Sequence, residues 1–339
     1  MMYLDDVKKV ASANLPWEKL RNKNILVTGA TGLIGSAIID ILMVHEKRDY
    51  NVYALGRNRE RAHKLFFAYS KIPSFHFISH DITEPLSTET DFHYIIHAAS
   101  GANPVEYSTD PIGVIRANIN GVDNLLSYGL NHCLEKFVFV SSGDIYGEGD
   151  GRVFTEDYSG YVNPLNVRSC YTSSKRAAET LCVAYGYQHG IDISIARPSH
   201  TYGPHFTEKD TRVYAQFIRN ILRDEDVLMK SLGEQYRSWC YVVDCALGII
   251  FVMLKGANKE AYNVADEDSN ITIRQLAEMI AEIGGKKVIV DLPTEMELRV
   301  FNPVSKSCFD TSKLRALGWS PVFSMKKSII NTISEVQIK

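Results

Sequence analysis

The chain opens with 23 mostly polar residues around one apolar cluster, Leu15-Pro16-Trp17, and a regular rhythm begins only at Asn24. From there, short apolar runs alternate with longer stretches of helical character. The runs at 24–28, 51–55, 75–78, 94–97, 136–141 and 193–197 are predicted strands, and the stretches 33–44, 57–70, 111–130 and 171–189 predicted helices. Strands that read as continuous apolar runs are buried on both faces. The pattern therefore predicts βα units and a doubly wound parallel sheet covered by helices on both sides.

Past Pro198 the rhythm weakens into loops, shorter helices and isolated strands rich in Arg, Tyr and Asp. This organisation predicts three parts. Residues 1–23 form a leader segment packed on the body, and 24–198 form a dinucleotide-binding domain. Residues 199–339 form mainly a smaller α/β substrate lobe over the carboxyl edge of the sheet, with some segments returning to the first domain.

Composition narrows the function classes. Hydrophobic content of 45% and charged content of 23% are those of a globular enzyme. A formal net charge of -3 gives no reason to expect a nucleic-acid partner or an anionic membrane surface. No apolar run is long enough to span a bilayer, and the acidic, polar N-terminus lacks a signal core. The six cysteines, Cys133, Cys170, Cys182, Cys240, Cys245 and Cys308, form no CxxC pair, which predicts a reduced, cytoplasmic setting. The ten histidines show no ligand spacing, so no metal is expected.

Two motifs carry the chemistry. The first, Thr28-Gly29-Ala30-Thr31-Gly32-Leu33-Ile34-Gly35, follows a predicted strand and opens a predicted helix. Its glycines permit a tight turn, a close approach to a pyrophosphate and close helix–strand packing, while the helix N-terminus offers free N–H groups to the phosphates. A lone glycine motif also fits an ordinary βα turn, but here strand, loop and helix occur together. The second motif is Tyr171-Thr172-Ser173-Ser174-Lys175, a YxxxK on a predicted helix, which puts both side chains on one face. A tyrosine is too weak a base at neutral pH unless a neighbouring ammonium stabilises its phenolate. By itself the pair could equally be a surface helix pair.

The GxxGxxG spacing, Asp81-Ile82 after the third strand, His97-Ala98-Ala99 closing the fourth, and Ser142 four residues before Tyr146-Gly147 arrive in a definite order ahead of Tyr171 and Lys175. Together they resemble the extended short-chain dehydrogenase/reductases of the NAD-dependent epimerase/dehydratase family, over nearly the whole chain from Asn24. The resemblance implies a Rossmann-type sheet and places Gly29, Thr31, Gly32, Leu33, Ile34, Gly35, Asp81, Ile82, Ala98, Ala99, Ser100, Tyr171 and Lys175 at the cofactor. It makes Ser142, Tyr171, Lys175 and Asp144 the catalytic candidates, and it implies a homodimer built on the helices 111–130 and 171–189.

Several further stretches resemble the UDP-glucuronate decarboxylase branch. They are Glu156-Asp157-Tyr158, Arg168-Ser169-Cys170-Tyr171, Thr201-Tyr202-Gly203-Pro204, Arg212-Val213 and Arg237-Ser238 with Asp244. The implied chemistry is oxidation at C4 of a nucleotide sugar, preferably UDP-linked. The resulting β-keto acid then loses carbon dioxide, and the hydride returns. Ser142, His200, Arg212 and Arg237 are the substrate-binding candidates, the guanidinium fork suiting a diphosphate. The chain departs from the branch in Ser142-Gly143-Asp144, where the pattern is Thr-Ser-Glu, and in His200, where the pattern has Asn. A 4-epimerase therefore stays open, as do a 4,6-dehydratase, a reductase and a non-catalytic dinucleotide sensor. The second strand ends Leu55-Gly56-Arg57 without the acid that usually binds the ribose 2′-hydroxyl. NAD is the expected cofactor, and Arg57 leaves NADP open.

Overall fold

The computed structural model describes residues 2–102, 104–208, 210–292 and 306–338; residues 293–305 of the expected substrate lobe lie outside the described residues. Seven parallel strands form one sheet in the order β10-β6-β5-β4-β1-β2-β3. They are β1 (Asn24–Thr28), β2 (Asn51–Gly56), β3 (Phe75–Ser79), β4 (Tyr94–His97), β5 (Lys136–Val140), β6 (Ile193–Pro198) and β10 (Glu260–Val264). Every residue of β4 and β5 is buried, as runs such as KFVFV require between two helical layers. Val27 lies opposite Ala54 on one side and Ile96 on the other. The strand order reverses between β1 and β4, which opens a crevice beyond their carboxyl ends, the place where doubly wound sheets hold ligands.

One helical layer contains α2 (Leu33–Val44) and α8 (Val242–Lys255). In α8 everything from Val242 to Leu254 is buried, so it reads as an apolar helix with little amphipathicity, Asp244 being its one buried charge. The other layer contains α5 (Pro111–Leu130) and α6 (Ser169–His189), packed along one another. The predicted helix 57–70 is shorter than expected. It divides into α3 (Arg59–Leu65) and a helical turn at Phe67–Tyr69, because Phe66 leaves helical geometry to enter the core.

The first residues form α1 (Met2–Ala11), whose Tyr3, Val7, Val10 and Ala11 join the main core beside α2 and α8. Two buried carboxylates fasten it. Tyr3 and Tyr69 donate to Asp40 at 2.8 and 3.0 Å, and Tyr241 and Asn331 donate to Asp6 at 3.0 and 2.7 Å.

After β6 the chain builds a smaller sheet over the crevice. β9 (Tyr236–Tyr241) pairs in parallel with β7 (His200–Tyr202) and β13 (Lys306–Ser307), and antiparallel with β11 (Asp266–Thr272). This register sets His200 opposite Trp239 and Ser307 opposite Arg237. A second pair, β8 (Val227–Met229) with β12 (Val288–Val290), packs near α7 (Val213–Leu222) and α9 (Ile273–Gly284). Among the described residues, no helix is long and apolar enough to cross a membrane.

Candidate functional site

Between β1 and α2 the backbone turns through Gly29 at φ +65°. A Cβ on Gly29 would lie 2.5 Å from the Ala98 carbonyl oxygen, and one on Gly35 would lie 2.3 Å from the Gly29 carbonyl oxygen. Both positions therefore demand glycine. Gly32 precedes α2, and no side chain caps that helix, so its first-turn N–H groups are left for a ligand. Thr31, Leu33 and Ile34 complete the turn. Ala98, Ala99 and Ser100 close β4 across from it, with the Ala99 amide donating to Thr28 Oγ1 at 3.4 Å. Ser100 donates to Asn118, and Asn118 to Ser174, at 2.8 and 2.9 Å, so the loop after β4 is tied to α5 and α6. Asp81 accepts from the amide and hydroxyl of Thr83, Ile82 is buried behind it, and Arg57 reaches Asp81 at 3.5 Å. A cradle in which a side chain at Gly29 or Gly35 has no room, below an uncapped helix N-terminus, fits the pyrophosphate of a dinucleotide.

A cavity of about 600 Å³ extends from Ile34 in the first turn of α2 into the lobe. At its inner end Tyr171 is buried, with its ring stacked on Tyr107 at 4.9 Å. Lys175 lies one turn on. Its ammonium donates to the Val140 carbonyl at 2.9 Å and stands 5.8 Å from the centre of the Tyr171 ring. Burial brings the Lys175 ammonium down to about 7. The Tyr171 hydroxyl differs from expectation. Burial and then the Asp144 carboxylate push its pKa above the ordinary value, and the Ser142 hydroxyl, the Arg212 guanidinium and the Ser100 hydroxyl only partly offset them. The Lys175 ammonium bonds the sheet at Val140 and is not among the groups that lower the phenol in this structure. Ser142 accepts from the Asp144 amide at 3.1 Å, which fixes the turn after β5. Desolvation raises the Asp144 carboxyl, while Arg168 and Arg237 act in the opposite direction.

The lobe supplies the facing wall. Arg237 is buried and donates from Nη1 to His200 Nε2 at 2.6 Å. Burial, then Arg237, hold the His200 ring well below the usual histidine range, so it stays neutral and accepts that bond. Arg212 also lines the cavity, but its guanidinium is engaged by Asp210, with Nε at 2.9 and 3.1 Å from the two carboxylate oxygens. Ser142, Asp144, Tyr171, His200, Arg212 and Arg237 thus meet in one space. Lys175 stands behind Tyr171, and Arg57 lies on the outer rim of the sheet.

Buried polar atoms of residues lining this space are without a partner among the described residues, among them Ser141 Oγ, Ser199 Oγ, Gln235 Oε1, Arg237 Nε and Trp239 Nε1. Buried polar groups are ordinarily paired, so their concentration here marks a site for a polar ligand. Of the lobe aromatics, Tyr214, Phe217 and Trp239 line the cavity, whereas Tyr241 belongs to the core and bonds Asp6.

Sequence reasoning missed Phe309 and Tyr107. Phe309 reaches the site because β13 pairs with β9, a contact between segments 70 residues apart in register. A Cβ on Gly143 would lie 2.3 Å from Phe309 Cζ, so the ring fills the space that a side chain at position 143 would need. Tyr107 gave no signal apart from being an aromatic residue just before a predicted helix.

Comparison with known proteins places this geometry among relatives. The NAD dependent epimerase/dehydratase family matches residues 25–265. UDP-glucuronic acid decarboxylase 6 of Arabidopsis thaliana is 35% identical over 312 residues, covering 91% of this chain and 87% of its own. UDP-glucuronic acid decarboxylase 1 of Xenopus tropicalis is 31% identical over 314 residues, covering 92% and 71%. Among solved structures, UDP-glucose 4-epimerase of Thermotoga maritima with UDP-glucose superposes with a TM-score of 0.79 at 25% identity, covering 93% of this chain and 99% of that one. UDP-glucuronic acid 4-epimerase of Bacillus cereus, in complex with UDP-glucuronic acid and NAD, has a TM-score of 0.79 at 24% identity with the same coverage, a likeness that speaks to the fold alone.

Proposed function

From a chain that belongs to the NAD dependent epimerase/dehydratase family, we propose an enzyme that decarboxylates a UDP-linked hexuronic acid through a 4-keto intermediate. The observation that carries this reading is the row of unpaired polar atoms along the cavity, from Ser141 beside the reacting end to Gln235 and Trp239 beneath the lobe. They line a cavity of about 600 Å³, and the Arabidopsis decarboxylase shares its similarity across both parts of the chain.

Tyr171, as phenolate, takes the proton of the sugar 4-hydroxyl, and Ser142 holds that hydroxyl against it. A nicotinamide dinucleotide held by the glycine turn would supply the acceptor for the C4 hydride and its return, and its positive charge would favour the Tyr171 phenolate. Lys175, drawn down to about 7, exchanges protons readily near neutral pH and relays them behind Tyr171. Arg237, oriented by His200, faces the anionic part of the substrate, and Arg212 with Asp210 borders the diphosphate path. The 4-ketone is β to the C6 carboxylate, so carbon dioxide leaves with the bonding electrons passing into the ketone as an enolate; a proton from solvent completes C5, and the proton held by Tyr171 returns to the C4 oxygen with the hydride. Phe309 against Gly143 leaves no room for the acid that a dehydration would use at that position.

The six cysteines are free thiols, in keeping with a reducing, cytoplasmic setting. The partner is a second copy of the chain, joined through α5 and α6. The test is to incubate the protein with UDP-glucuronate, UDP-glucose, UDP-N-acetylglucosamine and dTDP-glucose and to weigh the products. Loss of carbon dioxide from UDP-glucuronate is expected. An isomer of unchanged mass would make the chain an epimerase, and loss of water a dehydratase.

A further inference from the structure

The end of β2 is unusual for a dinucleotide site. An Asp or Glu there accepts from the ribose hydroxyls and repels a phosphate at the 2′-position. Here the strand ends in buried Gly56, followed by exposed Arg57, Asn58 and Arg59. Crowding does not impose this glycine. Its ideal Cβ would lie 3.6 Å from Thr31 Oγ1 and 3.9 Å from the Phe77 ring, both ordinary contacts. The volume a carboxylate would occupy is open and faces a hydroxyl of the glycine turn.

Two guanidinium groups flank that volume. Arg61 is half-buried and donates from Nε to the Thr31 carbonyl at 2.8 Å and from Nη2 to the His205 carbonyl at 3.1 Å. Both acceptors are neutral, and among the described residues Arg61 pairs with no carboxylate, so its charge is uncompensated. Asn58 caps α3 by accepting from the Arg61 amide at 2.8 Å, which fixes where that arginine begins. Arg57 makes one contact, to Asp81 at 3.5 Å, with its side chain 79% exposed. Such a pair is worth little in water and is easily exchanged for a better anion. The acids in reach are Asp81, pinned by Thr83, exposed Glu60 on the first turn of α3, and Glu106, whose carboxyl feels Arg57. None stands where the ribose-binding acid would be.

We infer that Thr31, Gly56, Arg57 and Arg61 form a receptor for a phosphate on the adenosine 2′-oxygen, so that this chain prefers the 2′-phosphorylated nicotinamide dinucleotide over NAD. The inference rests on the proposed dinucleotide site and goes beyond it.

The test is a binding titration of nucleotide-stripped protein with NADP and with NAD, followed by calorimetry. The nucleotide released from freshly purified, denatured protein is identified by mass alongside. Wild type should bind NADP about tenfold or more tightly, as one charge-assisted phosphate contact provides. Arg57→Ala should lose about that factor for NADP and leave NAD unchanged, and Gly56→Asp, for which there is room, should reverse the order. NAD binding as tightly as NADP in wild type, or Arg57→Ala weakening both alike, would overturn the inference. NAD binding alone together with decarboxylation would defeat it and leave the proposed function standing. Binding of neither nucleotide would remove both.

Discussion

Lys175 and Gly143 show at single positions how burial sets the chemistry. Lys175 has an ordinary pKa of 10.5, brought to about 7 by desolvation. Between those two values the unfolded chain holds a proton that the folded chain lacks, so stability rises as pH rises through that window. The full cost of the buried lysine is carried below about pH 7 and vanishes above about pH 10.5. Lys175→Met should therefore be more stable than wild type near neutrality, by on the order of a few kcal/mol, although inactive. The gap should close towards about pH 10 in urea unfolding. A gap that stays constant or widens with pH would contradict this. Gly143 makes a steric prediction. Gly143→Asp puts a side chain into the Phe309 ring and should cost about 1–3 kcal/mol, and the same change made in a Phe309→Ala background should cost much less. Thermal unfolding of the single and double variants reads this directly, and equal costs in both would mean that Phe309 is not the obstacle.

At the scale of elements, α1 is part of the enzyme's core. Val7 is fully buried, and Asp6 and Asp40 hold hydroxyl partners from distant elements. Val7→Asp would bury an unpaired carboxylate and should lower the unfolding free energy by about 3 kcal/mol or more, seen as a fall of several degrees in Tm. An unchanged Tm would mean that α1 does not dock. This helix was not legible in the sequence, where two acids and two lysines interrupt its apolar residues. By contrast, β4, α2 and α5 begin and end where the pattern puts them, because continuous apolar runs and long stretches of helical character are strong local signals. The lobe was legible only as a loss of rhythm. Its strands are short and pair across large separations, as β7, β13 and β9 do, and local pattern carries no record of such pairing. The same holds for the site. The glycine turn and Tyr171-Lys175 are local motifs, whereas Phe309 and the His200–Arg237 bond exist only through tertiary register.

On the scale of the whole molecule, the packed pair α5 and α6 bears exposed apolar residues at helical spacing: Ile112 and Ile115 on one helix, Val183 and Tyr187 on the other, Tyr187 being 85% exposed. Exposed apolar residues on two neighbouring helices are suited to a two-fold partner. Sedimentation should give a dimer at micromolar concentration, and Tyr187→Asp should shift it towards monomer. A wild-type monomer would refute this assembly. The monomer itself already joins the sheet and lobe that enclose the cavity, so the reacting groups come from one chain. The most direct measurement of the central claim is the release of labelled carbon dioxide from UDP-glucuronate carrying the label at C6, by wild type and by Tyr171→Phe. Wild type should release the label without net consumption of nicotinamide cofactor, and the variant should be slower by about a hundredfold or more while still binding cofactor. Retention of the label at C6 by active wild-type protein, or release undiminished in the variant, would contradict the account.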